Sequence, residues 1–281
     1  MSARSASSDL LYVSDAGTFD VDVYRYPSLA SAGRLTGFAR PEGVCSDSNG
    51  NVWITNTLSY YIVEYAHGGT SPIATLTDPI GYPAGCAVDS SSGDLAVTNL
   101  YDFSGSGSVI VYRDAGGTPT PYGSSSISEY YFDGYDPQGD LYVDGKTSTG
   151  TYVLALLPHG KSAMALVSVK GGTIYFPGTV AWQGSSLVLG DQRCGNAAAS
   201  CLYQATVSGS TARITRKIPL SVACDVAQAW VGASSVAGGD YEYCKLRKSG
   251  VDVWPYPKGG APAVTKTGLE MPIGAALSRP Q

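Results

Sequence analysis

The sequence predicts an all-β fold, a six-bladed β-propeller of four-stranded antiparallel blades, and three observations predict it. Gly (35), Pro (16) and Tyr (20) are abundant among the 281 residues, and turn-forming residues separate short apolar runs. A motif recurs about every 40 to 50 residues, which is the length of a propeller blade. Finally, the two chain ends hold complementary parts of one copy of that motif.

The repeated motif is an apolar strand, a turn rich in Asp, Asn, Ser and Gly, and a second, alternating strand. "PEGVCSDSNGNVWITN" begins at Pro41 and "PAGCAVDSSSGDLAVTN" at Pro83. Weaker copies begin at Phe132, Pro177 and Cys224. A third strand such as "SVIVYRD", a glycine turn and a fourth strand such as "IATLTD" complete the unit. Strands joined in order by tight turns predict a four-stranded meander.

The chain ends are predicted to share the sixth blade. Residues 10–35 supply a second, third and fourth strand, beginning with "LLYVSDAG", but no first strand precedes them. "MPIGAALS", from Met271 to Ser278, supplies a first strand alone. Pairing the two ends closes the ring and removes exposed sheet edges. We expect a single domain over residues 10–281, preceded by a flexible segment over residues 1–9.

Charge and hydropathy argue against two classes of function. The net charge is −5 and no run of clustered Lys and Arg exists, so the sequence does not predict a nucleic-acid groove. No apolar run approaches the roughly 20 residues of a membrane span. The leading "MSARSASSD" is small and polar, unlike a signal peptide. We expect a monomer with neither a nucleic-acid partner nor a membrane span.

The cysteines indicate an oxidising compartment. None belongs to a CxxC pair and the two histidines lie far from them in sequence, so disulfides are favoured over zinc. The repeat places them on or near one face and predicts three pairs, Cys194–Cys201, Cys224–Cys244 and Cys45–Cys86. The aligned positions of Cys45 and Cys86 differ by one residue, so this pair is the least secure of the three. Disulfides predict a secreted or periplasmic protein. The alternative is that some of the six are buried free thiols.

Second strands end in Asp or Asn in five of the six copies, at Asp15, Asn56, Asn99, Asp191 and Asp240. A ring of oxygen ligands is one interpretation. We favour the other, in which each side chain caps the following turn by accepting backbone N–H bonds. A role that recurs in nearly every repeat is usually structural.

Three carboxylates occupy the start of alternate copies, at Glu42, Asp133 and Asp225. If they converge at the channel mouth, their oxygen atoms would suit Ca²⁺ or Mg²⁺, the only cofactors that the sequence suggests. The alternative is three solvated carboxylates around a wet channel. The fifth copy allows a second alignment, in which the "AW" at Ala229 matches the "AW" at Ala181 and Asp225 is displaced.

Aromatic residues are frequent in the loops on the side of these carboxylates, namely Tyr60, Tyr61, Tyr101, Phe103, Tyr130, Tyr131, Tyr241 and Tyr243. Candidate ligand contacts are Tyr60, Tyr101, Tyr130 and Tyr241. Aromatic rings stack on sugars and grip peptides. The alternative is that half of these rings pack between blades.

The stretch "PEGVCSDSNGNVWITNT" resembles the NHL repeat and the related SMP-30 (gluconolactonase)-like six-bladed propellers, over Leu10 to Ser278. That resemblance implies the fold, which hosts lactonases, lyases, receptors and scaffolds. The lactonases bind a divalent metal through a Glu at a first-strand start, an Asn and an Asp. Glu42 resembles that Glu, whereas Asn99 and Asp191 match only by blade position.

Two functions follow. We expect a secreted, non-enzymatic propeller that binds a peptide, glycan or protein partner through its loop-rich channel face. The alternative is a metal-dependent, lactonase-like hydrolase or lyase at the channel mouth. Such an enzyme needs three converging oxygen ligands and a base within reach, so the sequence leaves open whether the protein is an enzyme.

Overall fold

The computed structural model describes residues 7–197, 199–241 and 248–281, and these form an all-β protein as predicted. The strands, in chain order, are β1 (Leu10–Asp15), β2 (Asp20–Arg25), β3 (Ala30–Leu35), β4 (Pro41–Ser46), β5 (Val52–Asn56), β6 (Tyr61–Tyr65), β7 (Pro72–Thr77), β8 (Gly81–Val88), β9 (Leu95–Asp102), β10 (Ser108–Tyr112), β11 (Thr120–Tyr122), β12 (Glu129–Tyr135), β13 (Leu141–Lys146), β14 (Tyr152–Leu157), β15 (Ala165–Lys170), β16 (Pro177–Gln183), β17 (Ser186–Asp191), β18 (Ser200–Ser208), β19 (Thr211–Leu220), β20 (Ala229–Val231), β21 (Ser235–Asp240), β22 (Gly250–Pro255), β23 (Val264–Thr267) and β24 (Pro272–Ser278). Short 3₁₀ turns cover Thr57–Ser59 and Arg113–Ala115. Within these ranges, no helix is long and apolar enough to cross a membrane.

The strands form antiparallel meanders of four, as the repeat predicts. Four sheets contain one meander each, in the orders β24-β1-β2-β3, β4 to β7, β8 to β11 and β20 to β23. The remaining sheet has eight strands, in the order β12-β13-β14-β15-β19-β18-β17-β16. It consists of two meanders whose outermost strands pair in parallel, from Ser168↔Thr211 to Lys170↔Arg213. The repeat does not predict this pairing, which arises because the long β18–β19 hairpin reaches the free edge of β15.

The two chain ends share a sheet, as predicted. β24 lies antiparallel to β1, with Leu10 opposite Ser278 and Leu11 opposite Leu277. The Ala16 N–H also donates to the Met271 carbonyl at 2.9 Å. Most of the predicted flexible segment, residues 1–6, lies outside the described residues, so that expectation stays a prediction.

Burial falls from the centre of the ring outwards. All six residues of β1 are buried, because the first and second strands of each meander are covered on both faces by the neighbouring sheets. The outermost strands β7 and β23 are mostly exposed. Trp53, on a second strand, and Trp254, on a third strand, are among the largest fully buried side chains.

A β-bulge recurs near the start of the innermost strands. In β4, Pro41 pairs with Asn56 but Val44 pairs with Ile54, so the pairing skips one residue. The same irregularity occurs in β8, β12, β16 and β24. A bulge leaves a backbone N–H without its ladder partner.

A hydroxyl on the second strand satisfies that N–H and joins the next sheet. Thr55 Oγ1 accepts from the Gly43 N–H at 2.7 Å and donates to the Ala84 carbonyl of the neighbouring sheet at 2.7 Å. Thr98 bridges the Gly85 N–H and the Tyr131 carbonyl in the same way. Ser14 and Asp144 are the equivalents in two further meanders, with Asp144 accepting from two innermost strands. These bonds fix the sheets around the central axis.

We expect Thr55→Val to destabilise the protein by about 2–3 kcal/mol, since it leaves a buried N–H and a buried carbonyl without a partner while keeping the shape. Chemical denaturation measures the loss. Thr55→Ser keeps the hydroxyl and should retain most of the stability. Thr75→Val, on the exposed outermost strand β7, is the matched control, and an equal loss there would contradict the bridging role.

Candidate functional site

The face that carries the candidate residues is the one where the innermost strands begin and the second strands end, here called the loop-rich face. The Asp or Asn at the end of a second strand holds the loop that leads into the innermost strand of the same meander. At Asp15 and Asp191 the carboxylate also caps the following turn, as the capping interpretation predicts. The Asp191 carboxylate accepts from the N–H groups of Tyr175 and Phe176 at 3.1 and 3.0 Å. Asn56 Oδ1 accepts from Ala39 N–H at 2.6 Å. The loops are therefore anchored to rigid strands.

Two predicted disulfides are present. Cys194–Cys201 closes the loop between β17 and β18, with a Cα–Cα distance of 5.6 Å. Cys45–Cys86 joins β4 to β8 in the adjacent sheet, with a Cα–Cα distance of 5.7 Å. The two cysteines differ by one residue in their aligned positions, so their side chains point to opposite faces of their own sheets. This offset favours the bond, because neighbouring sheets meet through opposite faces. Cys224 is also disulfide-bonded, but its predicted partner, Cys244, lies outside the described residues.

Glu42 lies at the start of β4 on the loop-rich face. Its carboxylate forms an ion pair with Arg40, with 2.7 Å between Nε and Oε1, and is largely buried. Burial raises the pKa of Glu42, and the charge and hydrogen bond of Arg40 oppose that rise. A paired carboxylate is less available to a metal than the sequence suggests.

Asp133 lies deeper than predicted. The register pairs Tyr130 with Gly145 and Asp133 with Val143, so Tyr130, not Phe132, matches Pro41. The residue that aligns with Glu42 is therefore Tyr131, and the predicted alignment of Asp133 with Glu42 was wrong by two residues. Asp133 is 2% exposed and both of its carboxylate oxygens are buried, so it lies inside the fold and not at the channel mouth.

Asp225 lies in the segment before β20 and has left-handed backbone torsions, with φ of 51°. Ala229 pairs with Gly238 and Val180 pairs with Leu189, each two residues before the Asp that ends the second strand. Ala229 therefore matches Val180, and both predicted alignments of the fifth copy were wrong, the second by one residue. Asp225 is thereby displaced from the innermost strand. Burial raises its pKa, and Arg193 counteracts that effect.

The three carboxylates do not form a cluster. In the described ranges, the one group of three Asp, Glu, His or Cys side chains with ligand atoms within 4.8 Å of one another is Asp191, Cys194 and Cys201. Its two sulfurs are joined in a disulfide and so are not thiolate ligands. A Ca²⁺ or Mg²⁺ site at Glu42, Asp133 and Asp225 stays a prediction that this geometry does not support.

A partly exposed aromatic cluster lies on the loop-rich face. Tyr60, Tyr82 and Phe103 contact one another edge to face, with ring centroids 5.1 to 5.8 Å apart. Phe103 is 58% exposed, and the nearby Tyr101 is also exposed. The Phe103 N–H donates to the Ile80 carbonyl at 2.9 Å, which fixes the loop that carries the ring.

A second cluster continues this surface. Tyr131 and Phe176 pack edge to face at 5.4 Å. Lys146 Nζ lies 3.3 Å from the Phe176 centroid, and Arg193 Cζ lies 4.9 Å from it. Burial and the Arg193 charge lower the pKa of Lys146, whereas Glu129 opposes that shift.

Glu129 links the two clusters, because its carboxylate accepts from the hydroxyls of Tyr101 and Tyr131 at 2.9 and 2.8 Å. We call the combined surface the aromatic arc, formed by Tyr60, Tyr82, Tyr101, Phe103, Tyr131 and Phe176. Sequence reasoning placed four of its members on this side, Tyr60, Tyr101, Phe103 and Tyr131, and chose Tyr60 and Tyr101 as candidate ligand contacts. Tyr82, Phe176 and Lys146 were missed, since they come from separate sheets and share no motif.

Two predicted aromatic contacts lie elsewhere. Tyr130 is fully buried in the core, and its hydroxyl accepts from the Ser124 N–H at 2.6 Å. It is therefore a core residue and not a surface contact, as the packing alternative allowed. Tyr241 is half-buried, with its carbonyl 3.3 Å from Cys224 Sγ, and residues 242–247 beyond it lie outside the described ranges.

Comparisons with known proteins support the fold. No protein-family model matches the chain, and no curated protein matches it significantly in sequence. A structure titled "Crystal structure of Nidogen/Laminin Complex" is similar with a TM-score of 0.76 and 12% identity, covering 98% of this chain and 100% of that chain. A protein of unknown function from Bacteroides caccae is similar with a TM-score of 0.70 and 11% identity, covering 97% and 100%. These likenesses show a β-propeller fold, and the NHL and SMP-30 kinship remains a resemblance.

Proposed function

We propose that this protein is a monomeric, secreted or periplasmic six-bladed propeller that binds a protein or peptide partner through the aromatic arc. The blade count follows if each meander of the eight-stranded sheet is one blade, since each has its own innermost strand, β12 or β16. Secretion is supported by Cys45–Cys86 and Cys194–Cys201, because disulfides persist in oxidising compartments. The blade pattern supports the NHL-like or SMP-30-like kinship.

The aromatic arc is the observation that carries this proposal. Exposed aromatic rings that adjoin one another mark interaction sites, and binding hot spots are enriched in Tyr, Trp and Arg. Glu129 and Lys146 supply polar contacts beside the rings. The loops are held by Asp191, Asn56 and a disulfide, so little conformational entropy is lost when a partner binds.

A protein partner is favoured over a glycan by one further point. The similar solved structure contains nidogen in complex with laminin, by its title. The hydrolase alternative is less favoured, because Glu42 is paired with Arg40 and the described residues do not bring three Asp or Glu side chains together. A metal-assisted mechanism requires both converging ligands and a base.

Selection from a peptide-display library, run in parallel with a glycan array, tests the proposal. Peptides selected on the intact protein should bind at least about tenfold more weakly to the double variant Tyr60→Ala/Phe103→Ala, since hot-spot aromatics each contribute more than about 1 kcal/mol. Ile73→Ala/Leu166→Ala removes two exposed apolar side chains from the outermost strands β7 and β15 and should leave binding unchanged.

Two outcomes would contradict the proposal. Selected peptides that bind both double variants equally would show that the aromatic arc is not the contact surface. Glycans that bind and are lost with Tyr60→Ala/Phe103→Ala, without any peptide ligand, would assign the surface to sugar recognition instead.

A further inference from the structure

The positive charge of this acidic protein is concentrated in one part of the chain. Between Gly145 and Ala223 there are seven Lys and Arg and one acidic residue, Asp191, which is buried. This stretch therefore carries a net charge of +6, whereas the net charge of the whole chain is −5. It contains β14 to β19, which are six strands of the eight-stranded sheet. A charge asymmetry of this size indicates contact with an anionic partner.

Strand pairing brings three of these cations to one face of the sheet. Residues paired across neighbouring strands have their side chains on the same face, and Lys170 of β15 pairs with Arg213 of β19. On the other side of β19, Arg213 pairs with Thr206 and Arg216 pairs with Gln204. Thr206 and Gln204 are two residues apart on β18, so they also share a face. Lys170, Arg213 and Arg216 therefore point the same way.

A β-bulge in β19 makes this alignment possible. The pairing of β18 with β19 shifts between Gln204 and Ala205, which leaves Thr215 as the extra residue of β19. Without that extra residue, Arg213 and Arg216 would point to opposite faces, because they are three positions apart and side chains alternate along a strand. The parallel pairing of β15 with β19 then adds the cation of the neighbouring meander to the same surface.

A fourth cation extends the row on the next sheet. The turn after β22 lies beside the end of β19, since the Gly260 N–H donates to the Pro219 carbonyl at 2.8 Å. This turn carries Lys258, which is exposed. With about 3.3 Å per residue along a strand and about 4.8 Å between strands, the row is about 20–25 Å long. We call these four residues the basic row: Lys170, Arg213, Arg216 and Lys258.

No carboxylate neutralises the basic row. Its four side chains are exposed, and none of them forms an ion pair in the part of the chain that the structure describes. The other exposed residues of β19 are Thr215, Lys217 and Pro219, so this strand offers a partner no aromatic ring and no large aliphatic side chain. Protein interfaces depend on such anchors, and single-stranded nucleic acids stack on aromatic rings. The row is therefore suited to a partner that is held by its charge.

We propose that the basic row binds a linear anionic polysaccharide, whose sulfate or carboxylate groups pair with the four cations. A chain of regularly repeated anions matches a row of cations along one strand, and the release of its counterions favours binding. Disulfides persist in oxidising compartments, and the pairs Cys45–Cys86 and Cys194–Cys201 favour a polysaccharide over a nucleic acid as the polyanion that the protein meets. None of the four residues belongs to the aromatic arc.

Binding of the intact protein to immobilised heparin, a sulfated polysaccharide, tests the proposal. With the salt dependence known for phosphates, four contacts predict an affinity that falls about 50- to 150-fold between about 50 and 200 mM salt. Lys170→Gln/Arg213→Gln/Arg216→Gln should weaken binding at least about tenfold at the lower salt and reduce the slope of log affinity against log salt by about three. Lys170→Arg/Arg213→Lys/Arg216→Lys keeps the charges and should retain most of the affinity.

A control variant removes the same number of charges from other sheets. Arg25→Gln/Arg113→Gln/Arg279→Gln changes residues at the ends of β2, β10 and β24 and should bind heparin as the unaltered protein does. Tyr60→Ala/Phe103→Ala should also bind heparin normally, so the result is independent of the aromatic arc. Polygalacturonate, a carboxylated polysaccharide, distinguishes the sources: binding of heparin alone indicates sulfate groups, and equal or tighter binding of polygalacturonate indicates carboxylates.

Four results would overturn the proposal. The first is that neither polysaccharide binds at about 50 mM salt, where four contacts give their largest effect. The second is unchanged heparin binding by the triple Gln variant, and the third is an equal loss in the control variant. The fourth is binding of duplex DNA or polyglutamate as tight as that of the polysaccharides, which would show an unselective response to negative charge.

Discussion

Removal of residues 271–281 should abolish cooperative folding or lower the free energy of unfolding by several kcal/mol. The deletion takes away β24, the innermost strand of the sheet that closes the ring. β1 would then present its inner edge to the channel, and Leu11 and Val13 would lose the contacts with Leu277 and Ala275 that bury them. An unpaired edge of this kind also promotes aggregation. Thermal and urea unfolding, followed by circular dichroism, measure the loss.

A shorter truncation, after Ser278, is the matched control. It removes Arg279, whose surface ion pair with Asp9 is 3.7 Å long, and such pairs contribute about 0–1 kcal/mol. The short deletion should therefore leave the unfolding midpoint almost unchanged. If the longer truncation behaved like the shorter one, closure of the ring by β24 would not contribute to stability.

Gly43→Ala should destabilise the protein by about 3 kcal/mol or more, the upper part of the range for overpacking. A Cβ at this position would lie 2.2 Å from the Ala84 carbonyl oxygen and 2.9 Å from Gly85 Cα in the neighbouring sheet. Both neighbours are backbone atoms of another innermost strand, so relief would require adjacent sheets to separate. Guanidinium denaturation, fitted with the same dependence of the unfolding free energy on denaturant concentration for both proteins, gives the change in the free energy of unfolding.

Gly116→Ala is the control for this substitution. Gly116 is extended, with φ of −152°, and the nearest atom to its added Cβ lies 3.6 Å away. Surface changes away from special features are usually within about 0.5 kcal/mol. Equal effects at Gly43 and Gly116 would show that the close approach of innermost strands does not limit side-chain size.

The sequence by itself determined the features that depend on local pattern. Alternation of apolar residues and Asx-rich or Gly-rich turns act over a few residues. The four-stranded meanders and the caps of the turns after Asp15 and Asp191 were therefore predictable. The split copy of the motif also identified the pairing of β1 with β24. Cys194 and Cys201 were predictable as a pair because only a short loop separates them.

Tertiary structure alone decided where the candidate residues meet. The bulge between Tyr130 and Asp133 shifts the strand by a number of residues that one degenerate copy of the motif does not reveal. Asp133 is therefore buried inside the fold and does not lie at the channel mouth. The aromatic arc combines rings from several sheets, and β15 pairs with β19 across a boundary between meanders. Register and inter-sheet contact depend on packing between residues far apart in the chain, and local patterns carry no information about those distances.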